Sequence, residues 1–259
     1  MVKKILSIVL WVVTGAAIIV LFAFARKGYL ENPLKGIHLT VERSQAIGFV
    51  ENDSIITKAR AICGMERQAS IAEIDMMKLR RMLNDNPWID QSSVYVDLND
   101  TLRITATEFE PALRVYNLEG RSVYLTHDGV IIPSSPRYTP HMIIASGNYG
   151  FATPRSNGNI ADSLYLNSGL AEALAIANAI SKDQFLKEHI GQIYRNTDNE
   201  YEVIVNNLPI QVIVGDTCAV DNKLHRLKVL LEKYQNTTEL EGYKTMSLKY
   251  KNQIVCTKK

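Results

Sequence analysis

Hydrophobic and polar positions in this 259-residue chain follow three successive regimes. The first is unbroken. Ile5 to Ala25 (ILSIVLWVVTGAAIIVLFAFA) carries no charge, and about twenty such residues span the ~30 Å hydrocarbon core as a helix rising 1.5 Å per residue. The second regime switches between period two and period 3.6. Ile37, Leu39 and Val41 alternate with His38 and Thr40, which predicts a half-buried strand. From Asp53 a helix is predicted, with Ile55, Ile56, Ala59, Ile62 and Cys63 on one face, Asp53 as cap and Gly64 as stop. A second helix follows Asp75, with Met76, Leu79, Met82 and Leu83 inward and Pro87 past its end. Val94, Val96 and Leu98 then alternate before Asn99-Asp100, and Leu102, Ile104 and Ala106 after it, which predicts a hairpin. The order is β-α-α-β-β, with two helices covering one face of a three-stranded sheet.

The third regime is dominated by short strands. They are predicted at Ala112–Asn117, Ser122–Thr126, Val130–Ile132, Gly191–Arg195, Tyr201–Val205 and Gln211–Val214; Met142–Ala145 is a further apolar segment, and Thr245–Tyr250 with Gln253–Cys256 reads as a closing strand or strand pair. Helices are predicted around Leu170–Ile180 and along Leu224, Leu227, Leu230, Leu231 and Tyr234. Ser146 to Asn159 is rich in Gly, Asn, Ser and Pro and reads as a mobile loop. The fold class is α+β: an N-terminal membrane helix, a β-α-α-β-β unit, then a mixed, strand-rich domain with helices on one face.

Lys3 and Lys4 precede the apolar run, and Arg26 and Lys27 follow it. The positive-inside rule slightly favours a cytoplasmic N-terminus. Ala23-Phe24-Ala25 fits a signal-peptidase pattern, but a signal core runs to only about 7–15 residues, and Arg26-Lys27 would directly follow the cut. An uncleaved anchor is the expectation. The net charge of +2 offers no case for nucleic acid, which calls for clustered Lys and Arg. Cys63, Cys218 and Cys256 have no CxxC or metal-ligand spacing. They are expected to be buried as small hydrophobes, although one pair could bridge in an oxidising compartment.

Motifs for chemistry are few. The sequence holds no Gly-rich phosphate loop, no HExxH and no GxSxG. His127 and Asp128 are adjacent, with Ser134 and Ser135 nearby, so a hydrolase triad can be posed; His-Asp-Gly between two strands reads more simply as a hairpin turn. Glu108 and Glu110 fall on one strand face beside Pro111 and read as a solvated strand end rather than an acid pair. Asn52-Asp53-Ser54, Asn99-Asp100-Thr101 and Asn236-Thr237-Thr238 fit the glycosylation sequon, the first two also serving as a helix start and a turn.

Several short motifs occur in a fixed order behind the apolar run: Asn86-Pro87-Trp88-Ile89, Val94-Tyr95-Val96, Asn99-Asp100-Thr101-Leu102-Arg103-Ile104, and Glu108-Phe109-Glu110-Pro111-Ala112-Leu113-Arg114-Val115. With Asp128-Gly129-Val130-Ile131-Ile132-Pro133 and the closing Ser247-Leu248-Lys249-Tyr250-Lys251-Asn252-Gln253-Ile254-Val255, the chain resembles the FtsQ/DivIB family of bacterial cell-division proteins. The resemblance implies a cytoplasmic tail over 1–4, a transmembrane helix over 5–25, a linker over 26–35, a POTRA domain over 36–109 and a C-terminal β domain over 110–259. It further implies a non-enzymatic scaffold in the inner membrane at the division septum, with most of the chain periplasmic and no cofactor, metal or small-molecule substrate. FtsB- and FtsL-like single-pass proteins are the implied partners, and through them control of septal peptidoglycan synthesis.

Carried over by motif, Ser247, Leu248, Lys249 and Tyr250 are the implied partner-binding residues. An open strand edge accepts another chain's strand, and an aromatic beside a cation makes an anchor. Relatives often carry Asp and Arg where this chain has Ser247 and Lys249, and Lys lacks the bidentate fork of Arg. The competing placement for Tyr250 is beneath the Leu224 helix. Two other functions stay in view: an envelope-assembly protein that chaperones outer-membrane substrates, and a membrane-tethered hydrolase using Ser134, His127 and Asp128. The first usually ends in a β-barrel, and no series of alternating strands of ~10 residues is present.

Overall fold

The structure is a computed structural model describing residues 2–44, 47–154, 156–206, 208–234 and 239–259, with side chains from Leu10 onward. The sequon at Asn236-Thr237-Thr238 lies outside the described residues. Contacts divide the chain into two compact units, Met1–Glu42 with Val50–Glu108, and Arg43–Phe49 with Phe109–Lys259.

The first unit begins with α1 (Val2–Glu31), 30 residues long. Its Leu10–Glu31 portion is long and apolar enough to cross a membrane, and none of it is buried within the protein. β1 (Gly36–Glu42), α2 (Asn52–Cys63), α3 (Met76–Asn84), β2 (Ile89–Val96) and β3 (Thr101–Glu108) follow. The sheet order is β1-β3-β2; β1 runs parallel to β3, and β2 antiparallel to it. This is the β-α-α-β-β order that the hydrophobic periodicity predicts. The inward faces are the predicted ones: Ile55, Ala59 and Cys63 of α2 and Leu79 and Leu83 of α3 pack with Leu102, Ile104 and Ala106. Burying each large aliphatic side chain contributes about 1.5–3 kcal/mol, so this layer holds the unit together.

The signals at the helix ends act as the chemistry of capping requires. Gly64 adopts a left-handed φ of 61° and closes α2 with its N–H on Ala61 and Arg60 carbonyls. The Asp75 carboxylate accepts the Lys78 N–H at 2.8 Å and starts α3. Asp53, by contrast, is not the cap of α2; Glu51 occupies that position and Asp53 sits in the first turn, where a carboxylate favours the helix dipole. The hairpin also differs from its prediction. β2 stops at Val96, and Leu98 lies in the turn with 92% of its surface exposed. The cause is Asp97, whose carboxylate takes the N–H groups of Asn99 (2.9 Å) and Thr101 (3.1 Å) and so diverts the backbone from the ladder. Asp100, at φ 61°, completes the turn.

The second unit carries β4 (Pro111–Asn117), β5 (Ser122–Thr126), β6 (Val130–Pro133), β7 (Ile143–Gly147), β8 (Gly158–Asn159), α4 (Leu170–Ser181), α5 (Gln184–His189), β9 (Ile190–Arg195), β10 (Tyr201–Val205), β11 (Gln211–Gly215), α6 (Val220–Tyr234), β12 (Tyr243–Ser247) and β13 (Val255–Lys258). Among the described residues, ten strands form one mixed sheet in the order β13-β12-β11-β10-β9-β7-β4-β5-β6-β8. β4–β7, β7–β9 and β11–β12 are parallel pairs. The β7–β9 crossover contains α4 and α5, and α6 makes the β11–β12 crossover. Leu170, Leu174, Ile176 and Ile180 of α4 and Leu224, Leu227 and Leu231 of α6 enter the same core as the strands.

The segment Ser146–Asn159 is not the free loop its composition suggests. Tyr149 and Phe151 are buried, Gly150 N–H bonds the Ser168 carbonyl at 3.1 Å, and β8 pairs with β6. Arg195 ties the segment's start to the residues before α4, donating from Nη1 to the carbonyls of Asn148 and Ser168. Aromatic anchors outweigh the Gly and Asn content.

Candidate partner-binding surface at the C-terminal turn

Four residues singled out in the sequence meet at the end of β12, and they divide by environment. Ser247 is the last residue of β12, pairing with Ile213 on one side and Val255 on the other. Leu248 is fully buried, and its N–H donates to the Ile213 carbonyl at 2.8 Å. It is therefore a core residue, placed there because the ladder continues one step beyond β12. Lys249 lies outside the strand, and its Nζ pairs with Glu200 Oε1 in the turn before β10. That bond holds the Lys249 ammonium above the usual lysine range. Tyr250 is 51% exposed in the bend that leads to β13, not beneath the α6 helix.

The turn is held from below by residues that are not adjacent in sequence. Leu224, Leu227 and Leu231 turn one stripe of α6 into the core, leaving Arg226 on the other side. Its guanidinium donates to the carbonyls of Tyr250 (2.7 Å) and Gln253 (2.6 Å) through Nη1 and to that of Leu248 (3.0 Å) through Nη2. A planar fork with several fixed donors suits three converging carbonyls; an ammonium does not. Asn252, at φ 57°, provides the left-handed step that returns the chain to β13.

Lys249 also needs space. Gly215 has a φ of 77°, and a Cβ there would lie 2.8 Å from Lys249 Cγ. Its two neighbours in the chain are held by buried Lys223, whose Nζ donates to the carbonyls of Val214 (3.0 Å) and Asp216 (2.9 Å) and to Asp216 Oδ1 (2.6 Å). The Lys223 bond holds the Asp216 carboxyl below its ordinary range. Arg226, Glu200, Gly215 and Lys223 escape a sequence reading because their roles depend on long-range packing. Only Gly215, following the apolar Val212-Ile213-Val214, carries a local signal, that of a turn.

Among the described residues, β13 is an edge strand, bonded to β12 alone. Val255, Thr257 and Lys258 are exposed along it. The opposite edge, β8, is only two residues long. Edge length and an exposed aromatic next to it distinguish the C-terminal end of the sheet.

The other residues posed for chemistry take separate partners. His127 Nδ1 lies 2.7 Å from Asn178 Oδ1 of α4, while the Asp128 carboxylate accepts the Thr126 hydroxyl. Glu108 is not a solvated strand end: it is buried, and its Oε1 accepts the Val50 N–H at 3.1 Å. Within the second unit an open cleft of about 770 Å³ is lined by Glu110, Arg114, His127, His141, Lys187 and Glu188 among others. Its charges are mixed, and Arg114 is engaged by Thr139 and Ser122. Among the described residues, no cluster of His, Cys, Asp or Glu is arranged to hold a metal ion. The cysteines are all free; Cys63 is buried as expected, but Cys218 is exposed and Cys256 half-buried.

Residues 110–257 match the family described as "FtsQ/DivIB, C-terminal related". This match covers more than half of the chain, from the start of β4 into β13. The chain belongs to the FtsQ/DivIB family. Membership associates it with cell division, with division-protein partners and with a family of non-enzymatic division scaffolds. Comparison with curated proteins returns no match.

Proposed function

We propose that the chain is a single-pass scaffold of the division machinery that binds FtsB- and FtsL-like partners through the β13 edge and the Lys249–Tyr250 turn, and so helps control septal peptidoglycan synthesis. In this reading the tail is 1–4, the membrane helix 5–25, the linker 26–35, a POTRA-type recruitment domain 36–109 and the partner-binding β domain 110–259. The N-terminus is cytoplasmic, the rest periplasmic, and the protein collects at the septum.

The observation that carries the reading is the braced turn beside an open edge. An added strand gains main-chain hydrogen bonds along Val255–Lys258, while Tyr250, held by Arg226 through its own carbonyl, offers an aromatic anchor at the start of that edge. Ser247 and Leu248 support the site from behind, in the ladder and in the core. Lys249 supplies a cation, already oriented by Glu200, with further donors free for an acidic partner residue.

Co-purification of FtsB- and FtsL-like partners with the full-length chain tests this. Tyr250→Ala should weaken capture by about 2 kcal/mol, roughly 30-fold in Kd, the usual cost of losing an aromatic hot spot. Lys249→Glu should weaken it further by setting a carboxylate against Glu200. Undiminished capture by both variants refutes the site. A fluorescent fusion that spreads evenly around the envelope instead of gathering at midcell refutes the septal role.

A further inference from the structure

The first unit is clamped to its own membrane helix, and this clamp places one loop at the bilayer. The uncharged run of α1 ends at Ala25, yet the helix continues to Glu31. At 1.5 Å per residue, Tyr29 stands about 6 Å beyond Ala25 along the axis. The headgroup layer of one leaflet is about 5–7 Å thick, so Tyr29 lies within it when Ile5–Ala25 fills the hydrocarbon. Side chains on a helix lean toward its N-terminus, which here is the bilayer side. The Tyr29 hydroxyl donates to the Asp97 carbonyl at 2.9 Å. The β2–β3 turn is therefore fixed at headgroup depth. Two further bonds hold it: Asn32 Nδ2 donates to Asp100 Oδ1 at 3.4 Å, and Lys35 Nζ pairs with Asp100 Oδ2 at 2.8 Å.

Leu98 is the residue after Asp97, and among the described residues it is the most exposed large apolar side chain. A lone exposed leucine is ordinary on a protein surface; one tethered to a membrane helix at this depth has an apolar medium within reach. Its acidic neighbours do not oppose that approach. Asp97 is paired with Arg103 Nε at 2.8 Å, Asp100 with Lys35, and Glu31 with Lys27 at 3.8 Å, while Arg26 lies on the adjacent turn of α1. Paired carboxylates and the nearby Arg26 suit an anionic lipid surface.

We propose that the β2–β3 turn is a second, peripheral contact with the bilayer, with Leu98 seated in the headgroup–acyl boundary; the inference rests on reading α1 as the membrane span. The contact fixes which end of the three-stranded sheet faces the lipid. The other end, at Ile89–Asp90 and Glu108, is about 20 Å away by strand rise.

The test uses the full chain in phosphatidylethanolamine/phosphatidylglycerol vesicles, in a Cys218→Ser, Cys256→Ser background. An environment-sensitive NBD fluorophore is attached through Leu98→Cys or, as a control on the same sheet, through Asp90→Cys; both positions are exposed, so neither change disturbs the core. With the second tryptophan removed by Trp88→Phe, Trp11 in the apolar run reports the span by its loss of emission in brominated lipid. The expected result is a blue-shifted probe at position 98 that lipid-borne nitroxides quench, beside a probe at position 90 that stays aqueous. A water-like probe at position 98 in vesicles where Trp11 is quenched overturns the inference and leaves the span intact. Equal quenching at both positions also overturns it, since the contact would belong to the whole sheet face. Unquenched Trp11 removes the span and the inference with it.

Discussion

Arg226 and Tyr250 are joined by a 2.7 Å hydrogen bond from a guanidinium Nη1 to a backbone carbonyl, so the exposed ring of Tyr250 is carried on a main chain that α6 holds in place. The same guanidinium binds the carbonyls of Leu248 and Gln253. Arg226→Leu keeps the stem of α6 but removes every donor. The turn over Lys249–Gln253 should then exchange its amide hydrogens faster, with α6 itself unchanged, and partner capture should fall even though Tyr250 is intact. Arg226→Lys should recover only part of the protection, because one ammonium cannot serve three carbonyls at once. Hydrogen exchange measured peptide by peptide checks this; protection equal to wild type in Arg226→Leu would show that the turn is held otherwise.

Gly147 and Gly215 make a paired test of backbone strain. A Cβ on Gly147 (φ 119°) would fall 2.1 Å from the Arg195 carbonyl oxygen, within the β7–β9 pairing, where the obstacle is backbone. A Cβ on Gly215 (φ 77°) would meet the flexible stem of Lys249, which can move. Gly147→Ala should therefore destabilise by about 3 kcal/mol or more, and Gly215→Ala by about 1–2 kcal/mol. Gly215→Ala should also dislodge Lys249 from Glu200 and weaken partner capture, a loss that the less local Gly147 change does not single out. Denaturant unfolding of the two variants beside wild type gives the comparison.

Much of this architecture is written locally. Gly64 and Asp75 mark helix ends because a left-handed carbon and a short carboxylate act within four residues of themselves, and the buried stripes of α2, α3 and α6 follow from period alone. Leu98 deceives because alternation continues past the point where Asp97 takes over the backbone hydrogen bonds. The short α5 carries too few residues to display a period, although Asp183 caps it at the N–H groups of Phe185 and Leu186. Tyr250 and Lys249 could be named from the closing motif; Arg226, Glu200 and Gly215 could not. They lie 24, 49 and 34 positions away from their targets, and nothing near them in sequence records the approach.

Acid should loosen the first unit through Asp97. Its carboxyl is held below the ordinary aspartate range, chiefly by the Arg103 bond and then by the N–H groups of Thr101 and Asn99. A depressed folded-state pKa adds stability above the unfolded value of about 3.9, and that stability disappears as pH falls through the folded value. Asp97→Asn should be less stable than wild type at neutral pH, and the two should converge as pH drops below about 4. Unfolding midpoints of the detergent-solubilised chain from pH 6 down to pH 3 test it; a constant gap across that range would mean that the charge of Asp97 is not involved.

The three thiols should separate cleanly by reactivity. Cys218 is exposed in the turn before α6, Cys256 is half-buried in β13, and Cys63 is buried in the first unit, where burial pushes its thiol up to about 11. Because the thiolate is the reactive form, a native chain at pH 8 should modify Cys218 first, Cys256 more slowly, and Cys63 only once the first unit unfolds. The same burial has a stability consequence at high pH. A raised folded-state pKa contributes stability that is complete below the unfolded thiol value of about 8.5 and is lost as pH rises through the folded value. Cys63→Ala should thus lower stability at neutral pH by removing a packed sulfur, and should remove the extra loss between roughly pH 8.5 and 11. Thiol titration with and without denaturant, read beside alkaline unfolding curves, decides both. Rapid labelling of Cys63 in the folded chain would contradict its place between α2 and the sheet.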